Sequence, residues 1–295
     1  MKEEPVIEIK GLSYAYSRAE AVHDFNLTVK AGSCYGLFGR NGAGKTTTMK
    51  CLLNLLRPRS GTVRVFGLDP AKNEVEVKRR LAYVPDNVAF YPWMTVRETL
   101  DYLASFRSNW NRGTEADLLS RFRLDADQRT GALSKGQRTQ VALIAAVCPE
   151  PELLLLDEPT SGLDPIVRRE FIETVIGAYQ EQEPAKRTIL VSTHLITEFE
   201  GLIDEFTIMD RGGEALSLGA DEARDRYQKI RARFPQSAPA VDFKGALHVR
   251  RNGRELELIA NGEGQRIIEQ LRGMGPEEVT SEGLTLEEVF VAALK

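Results

Sequence analysis

Apolar and polar residues alternate along the opening of the chain. Val6, Ile7, Ile9 and Leu12 lead to Tyr14 and Tyr16, a polar turn follows at Ser17–Glu20, and Ala21–Val29 alternates again. A period of two predicts two strands of an antiparallel sheet with one face in water. Cys34–Phe38 breaks that rhythm, because it is apolar throughout and ends at Gly39, as a strand buried on both faces would be. From Lys45 to Leu56 the spacing of Met49, Leu52, Leu53 and Leu56 predicts a helix that stops before Pro58. Further strand-like runs occur at Gly61–Phe66, Leu81–Val84, Leu153–Leu156, Thr188–Ser192 and Glu205–Met209, and the pattern between Thr95 and Cys148 is almost wholly helical. Strands alternating with helices, with one helical insert, predict an α/β fold with a mainly parallel sheet. An antiparallel β subdomain stands before it, and a helical subdomain spans about 95–148.

Beyond about Gly219 the character changes. Asp221–Phe234 reads as a charged helix and Pro235–Pro239 as a linker. Val241–Arg250 and Glu255–Ile259 read as a hairpin around Asn252-Gly253, with helices at Gln265–Leu271 and Thr285–Leu294. The expected organisation is a main domain over 1–220, a helix and linker over 221–240, and a small α+β appendix over 241–295. No internal repeat is visible.

Composition narrows the function. With 39 Lys plus Arg against 43 Asp plus Glu, the 295-residue chain carries a net charge of −4. That balance argues against a protein built to lie on nucleic acid. The longest apolar runs, Val141–Cys148 and Leu153–Leu156, fall far short of the roughly 18 residues a bilayer span needs. Met1–Pro5 is charged with no apolar stretch behind it, so no signal peptide is expected. Cys34, Cys51 and Cys148 lack metal-ligand spacing and read as small buried hydrophobes in a reducing cytosol.

Candidate chemistry begins where the buried strand ends. Gly39-Arg40-Asn41-Gly42-Ala43-Gly44-Lys45-Thr46 has two glycines five positions apart, then Lys and a hydroxyl residue, between a strand and a helix. Glycines let successive backbone N–H groups curl around a phosphate, and the helix adds the positive end of its dipole. Lys45 would reach the β and γ phosphates, Thr46 would ligate Mg²⁺, and Thr47 adds a second hydroxyl. A chance glycine-rich turn is the bland alternative, and the strand-then-helix context weighs against it. Leu153–Leu156 runs into Asp157 and Glu158. At a strand's C-terminal end, beside the loop, Asp157 would hold Mg²⁺ directly or through water, and Glu158 would take a proton from attacking water.

Leu133-Ser134-Lys135-Gly136-Gln137 lies upstream of that strand and is required by no generic phosphate-loop enzyme. Here the chain resembles the nucleotide-binding subunits of ABC transporters over about residues 6–217. The resemblance implies a P-loop NTPase fold, ATP and Mg²⁺ as ligands, and ATP hydrolysis. It implies that Tyr16 stacks on adenine, with Tyr14 or a plain core role as alternatives. It also implies that Ser161–Asp164, ending in Asp164, follows the second phosphate motif, and that His194 is the switch histidine after Thr188–Thr193. Ser134, Lys135, Gly136 and Gln137 would then face the nucleotide of a second copy in a head-to-tail dimer.

Two residues depart from the family pattern. Asp86, after Leu81–Val84 and Pro85, stands where a Mg²⁺-contacting glutamine is usual, and Lys135 replaces a signature glycine. Asp86 can still bind Mg²⁺, and Asp86→Gln is expected to retain ATPase activity. Tyr91–Glu98, with the single cassette and the appendix, resembles the ATPases of bacterial type-2 export systems, which work beneath separate multi-span permease subunits. This implies a cytoplasmic protein peripheral on the inner face of the cell membrane. The apolar Phe90–Trp93 segment is either a socket for the permease or a cap on the helical subdomain's own core. A soluble ABC ATPase of translation or DNA repair is the alternative function. His23 and His248 read as structural.

Overall fold

The N-terminal alternation folds as β1 (Ile7–Tyr16) and β2 (Ala19–Val29), followed by β3 (Cys34–Gly39), α1 (Lys45–Leu52) and β4 (Ser60–Val65). In this computed structural model residues 4–180 and 187–294 are described, and Met1–Glu3, the start of the segment read as no signal peptide, lie outside them. Strands β2, β1 and β4 form an antiparallel sheet in that order. Ile7, Ile9 and Leu12 face the core opposite Val29, Leu27 and Phe25. The step from Ile9 to Leu12 is three residues, not two, and the ladder shifts register there, with Gly11 at φ 60° absorbing the extra residue. Helix α1 ends one turn before the expected Leu56. Leu53 is its cap and Asn54 turns left-handed at φ 55°, so both Leu55 and Leu56 donate to the carbonyl of Lys50.

Next come α2 (Glu74–Arg80), β5 (Leu81–Val84), α3 (Val96–Ala104), α4 (Arg112–Arg121), α5 (Lys135–Val147), β6 (Leu153–Asp157), α6 (Pro165–Gln180), β7 (Thr188–Thr193), β8 (Glu205–Asp210) and β9 (Gly213–Gly219). The second sheet has the order β5-β6-β7-β3-β8-β9. Its β5–β6, β6–β7 and β7–β3 pairs are parallel. The four leucines of β6 are wholly buried, and truncating any one to Ala costs about 2–5 kcal/mol. Helices α3 to α5 form the helical insert, burying Val96, Leu100, Leu118, Phe122, Val141 and Ile144. Burial pushes the thiol of Cys51 up to about 11 and that of Cys148 up to about 12, so both stay protonated. Among the described residues, no helix is long and apolar enough to cross a membrane.

The described residues divide into two compact units, one reaching Ile203 and including Thr207–Glu214, the other comprising Asp204–Phe206 and the chain from Ala215. The second unit contains α7 (Ala220–Arg226), β10 (Tyr227–Arg233), β11 (Ala246–Asn252), β12 (Glu255–Asn261), α8 (Gly264–Arg272), β13 (Glu278–Gly283) and α9 (Leu286–Ala293). The expected helix over Asp221–Phe234 is corrected: it ends at Arg226, and Tyr227–Arg233 is a central strand between β12 and β13. From Lys229 onward Ile230, Ala232 and Phe234 are buried, whereas Arg231 and Arg233 are exposed. That is a period of two, which the run of charges obscures. The hairpin turns at Asn252-Gly253 as expected, though its first strand starts at Ala246 instead of Val241. Strand β13 has no counterpart in the sequence reading, because Glu278–Gly283 carries a single apolar residue, Val279. The four-stranded antiparallel sheet, ordered β11-β12-β10-β13, packs Ile230, Leu256 and Leu258 against Ile267 and Leu271 of α8.

Candidate nucleotide site

The loop after β3 is built on Gly44. It caps α1 in the left-handed region at φ 108°, and a Cβ there would lie 2.6 Å from the carbonyl oxygen of Ala21. Gly39, Ala43 and Gly44 are buried, whereas Arg40, Asn41 and Gly42 are exposed. The loop delivers Lys45 into the interior, where it is only 5% exposed. Its Nζ donates to the carbonyls of Gly39 at 2.7 Å and Arg40 at 3.3 Å and lies 2.9 Å from Glu158 Oε1. A buried ammonium needs such partners, since desolvation penalises the unpaired charge by several kcal/mol.

Asp157 ends β6 and is held by three donors from three other elements. Thr46 of α1 donates at 3.1 Å and Ser192 of β7 at 2.7 Å to Oδ1, while Tyr83 of β5 donates at 3.3 Å to Oδ2. Burial raises the Asp157 pKa above the usual carboxylate value, and the three hydrogen bonds pull against it. Burial, then the Asp157 charge, pushes the Tyr83 phenol up in turn. Strand alternation would send Glu158 to the opposite face from Asp157. Instead Glu158 turns left-handed at φ 46°, with its N–H on the Ser192 carbonyl at 2.8 Å. Its Oε2 meets His194 Nδ1 at 2.8 Å. Its Oε1 is buried and faces the Lys45 ammonium at 2.9 Å.

Lys45, Thr46, Asp157, Glu158 and His194 are therefore brought together. Tyr16, 46% exposed, joins them through its hydroxyl, 3.5 Å from Thr47 Oγ1, and its ring stands edge-on to Tyr14 at 4.9 Å. The remaining residues point elsewhere. Ser134 caps α5, accepting from Gln137 N at 3.2 Å while its own N–H donates to Gln137 Oε1 at 2.9 Å. Gly136 is close to Val167 and Leu163, where a Cβ would make ordinary van der Waals contact. Asp164 caps α6 by accepting from the N–H groups of Ile166 and Val167. The Asp86 carboxylate faces Asn87 at 3.2 Å and Lys135 at 3.7 Å. Among the described residues no three acidic, His or Cys side chains surround one cation position. Thr46 and Asp157 nonetheless offer adjacent hard oxygen donors, which suit Mg²⁺ when phosphate oxygens and water supply the rest of its shell. The buried Lys45 ammonium and the Glu158 carboxylate beside it likewise suit a polyphosphate and a water.

Sequence reasoning missed Tyr83 and Ser192. Both lie on strands flanking β6, and Ser192 is the register partner of Asp157. Their signal exists only once the strand order is known.

The ABC transporter family profile matches residues 22–161. The bacitracin transport ATP-binding protein BcrA of Bacillus licheniformis is 33% identical over 226 residues, 76% of this chain and 73% of that protein. The ABC transporter ATP-binding protein YtrB of Bacillus subtilis (strain 168) is 26% identical over 296 residues, 97% of each, so its match takes in the second unit. A solved ATP-binding subunit of an ABC transporter shares the fold with a TM-score of 0.67 at 31% identity, covering 75% of this chain and 92% of that one.

Proposed function

The chain belongs to the ATP-binding subunits of ABC transporters and is an ATPase. From that premise we propose that it powers export through separate membrane permease subunits, with two copies closing head to tail over ATP. The observation that carries the hydrolytic reading is Glu158, set between Lys45 at 2.9 Å and His194 at 2.8 Å with its carboxylate largely buried. In this reading Tyr16 stacks on the base, the Gly39–Thr47 loop cradles the phosphates, and Thr46 with Asp157 holds Mg²⁺. Bound Mg²⁺ supplies charge neutralisation on the phosphate oxygens. Glu158 Oε1 accepts a proton from water as the water oxygen bonds to the γ phosphorus. The bond from that phosphorus to the β–γ bridging oxygen breaks, and ADP leaves. Lys45 offsets charge on the transferring group, and His194 holds Glu158 in place. Positioning and charge stabilisation are the main requirements of such a transfer. Ser134, Gly136 and Gln137 of the second copy complete the site. The ATPase domain is assigned to residues up to about 220.

Support for a membrane partner comes from the surface after Asp86. Trp93, Tyr91, Tyr102 and Phe106 are all exposed and touch in that order, with ring centroids 5.0, 6.0 and 5.1 Å apart and the last two contacts edge-on. Beside them a groove of about 920 Å³ is lined by Leu55, Val75, Val88, Phe90 and Phe106. A contiguous exposed apolar surface of this kind suits a helix from a permease better than it suits water. The bacitracin transport function named for BcrA points the same way. Affinity purification of the full chain from detergent-solubilised membranes tests the proposal. Recovery of a multi-span protein, lost on Trp93→Glu and Phe106→Glu, is expected. Recovery only with ribosomes or DNA would overturn it.

A further inference from the structure

The two departures from the family pattern, 49 residues apart in sequence, meet in space. Lys135 is the first residue of α5, where the helix dipole disfavours a cation, and the first turn of α5 contains no acidic residue to offset it. Asp86 sits just past the C-terminal end of β5, and its Oδ1 lies 3.7 Å from Lys135 Nζ. Its carboxylate thus supplies negative charge to both the ammonium and the helix start. The Lys135 stem also crosses Gly162, whose φ is 72° and where a Cβ would lie 3.4 Å from Nζ and 3.7 Å from Cδ. One side chain therefore touches two loops: the turn after β5 and the loop that joins Glu158 to α6. On its far side, the Asp86 charge bears on Tyr83, the phenol that donates to Asp157.

We propose that Lys135 and Asp86 act as one positioning device, an ion pair that fixes the start of α5, and with it Ser134 and Gly136, against the turn beside Asp157. Turnover then depends on the two residues carrying opposite charges, and on neither identity alone. The inference rests on the ATPase assignment. It differs from a role for Lys135 on the phosphates of a second copy, since that role has no need of Asp86.

The test is a charge-exchange cycle on the full chain, reading phosphate release, binding of a fluorescent ATP analogue, and melting temperature. Lys135→Met keeps the stem over Gly162 and removes the charge; kcat should fall about 3–10-fold with KM for ATP held within about twofold. Asp86→Gln should fall comparably while remaining active, and Lys135→Arg should stay within about twofold of the parent. Lys135→Glu and Asp86→Lys should each lose more than about 10-fold, and the exchanged pair carrying both should recover to within about threefold. Because the pair is roughly half exposed, the parent's turnover should also decline with added salt more steeply than that of Lys135→Met. An exchanged variant no better than the product of its singles would overturn the proposal. So would Lys135→Met raising KM with kcat unchanged, which would place Lys135 on the nucleotide. A parent that neither binds nor hydrolyses ATP would count against the ATPase assignment instead. In that case the melting-temperature cycle still decides, with coupling sustaining the pair and strict additivity overturning it.

Discussion

Two cation–carboxylate arrangements, one in each compact unit, sit at opposite ends of the burial scale. In the first unit Lys45 and Glu158, with side chains 5% and 10% exposed, face each other across an interior contact. In the second, Arg231 bridges Glu257 and Glu282 across three strands, all of them between 36% and 58% exposed. Water screens the second set, and its net contribution is small. The first set is held in a region of low dielectric, where each charge costs several kcal/mol to desolvate and loses most of its justification if its partner goes. The outer face of the C-terminal sheet thus uses charge to stay soluble and to keep strands in register. The loop side of the parallel sheet concentrates charge where a polyphosphate would be received.

That contrast yields graded predictions. Glu158→Gln should lower ATP turnover by about 10²–10⁴-fold while ATP still binds and holds two copies together, seen by phosphate release and light scattering; undiminished turnover would remove Glu158 as the base. Lys45→Met should abolish nucleotide binding and, by leaving Glu158 buried without its counter-charge, cost about 3–5 kcal/mol in denaturant unfolding. A loss below about 1 kcal/mol would mean that the two units do not differ as described. Asp157→Asn should inactivate the protein yet stabilise the ligand-free chain at neutral pH, read by denaturant unfolding. The sign follows from its raised pKa. The folded state holds this proton more tightly than the unfolded one, so stability falls as pH rises from the ordinary value to the raised one and is then level. The variant should lose that dependence, and a steeper one would refute the assignment. Smallest of all, Arg231→Ala should change unfolding by less than about 1 kcal/mol and leave turnover unaltered.

How much of this was legible in the sequence depends on whether a feature is contiguous. Gly39–Thr47 and Leu153–Glu158 each fit in one short window, and the apolar run in front of each chemical group is enough to put it at a strand end. Tyr83, Ser192 and the Asp86–Lys135 contact join residues on different elements, so they wait on strand order and register, which local patterns do not contain. The mismatch at Asp221–Phe234 has another origin. Five basic residues between Arg224 and Arg233 give the run the charged character of a solvated helix, yet Arg231 and Arg233 are exposed and alternate with buried Ile230 and Ala232 along a strand. Strand β13 was invisible because an edge strand with both faces largely in water needs hardly any apolar residues.

The left-handed backbone at Glu158 carries a consequence for anyone evolving or screening this position. A β-branched residue placed there must bear a conformational strain of about 1–3 kcal/mol before its side-chain chemistry is even tested, whereas Asn or Gly enters nearly free. Saturation libraries at 158 will therefore confuse misfolding with loss of catalysis unless folding is scored for every variant. Mutational paths away from glutamate are channelled by the backbone: Asn and Gly enter readily but bring no carboxylate, and Asp, which also tolerates this region, brings one on a stem one methylene shorter.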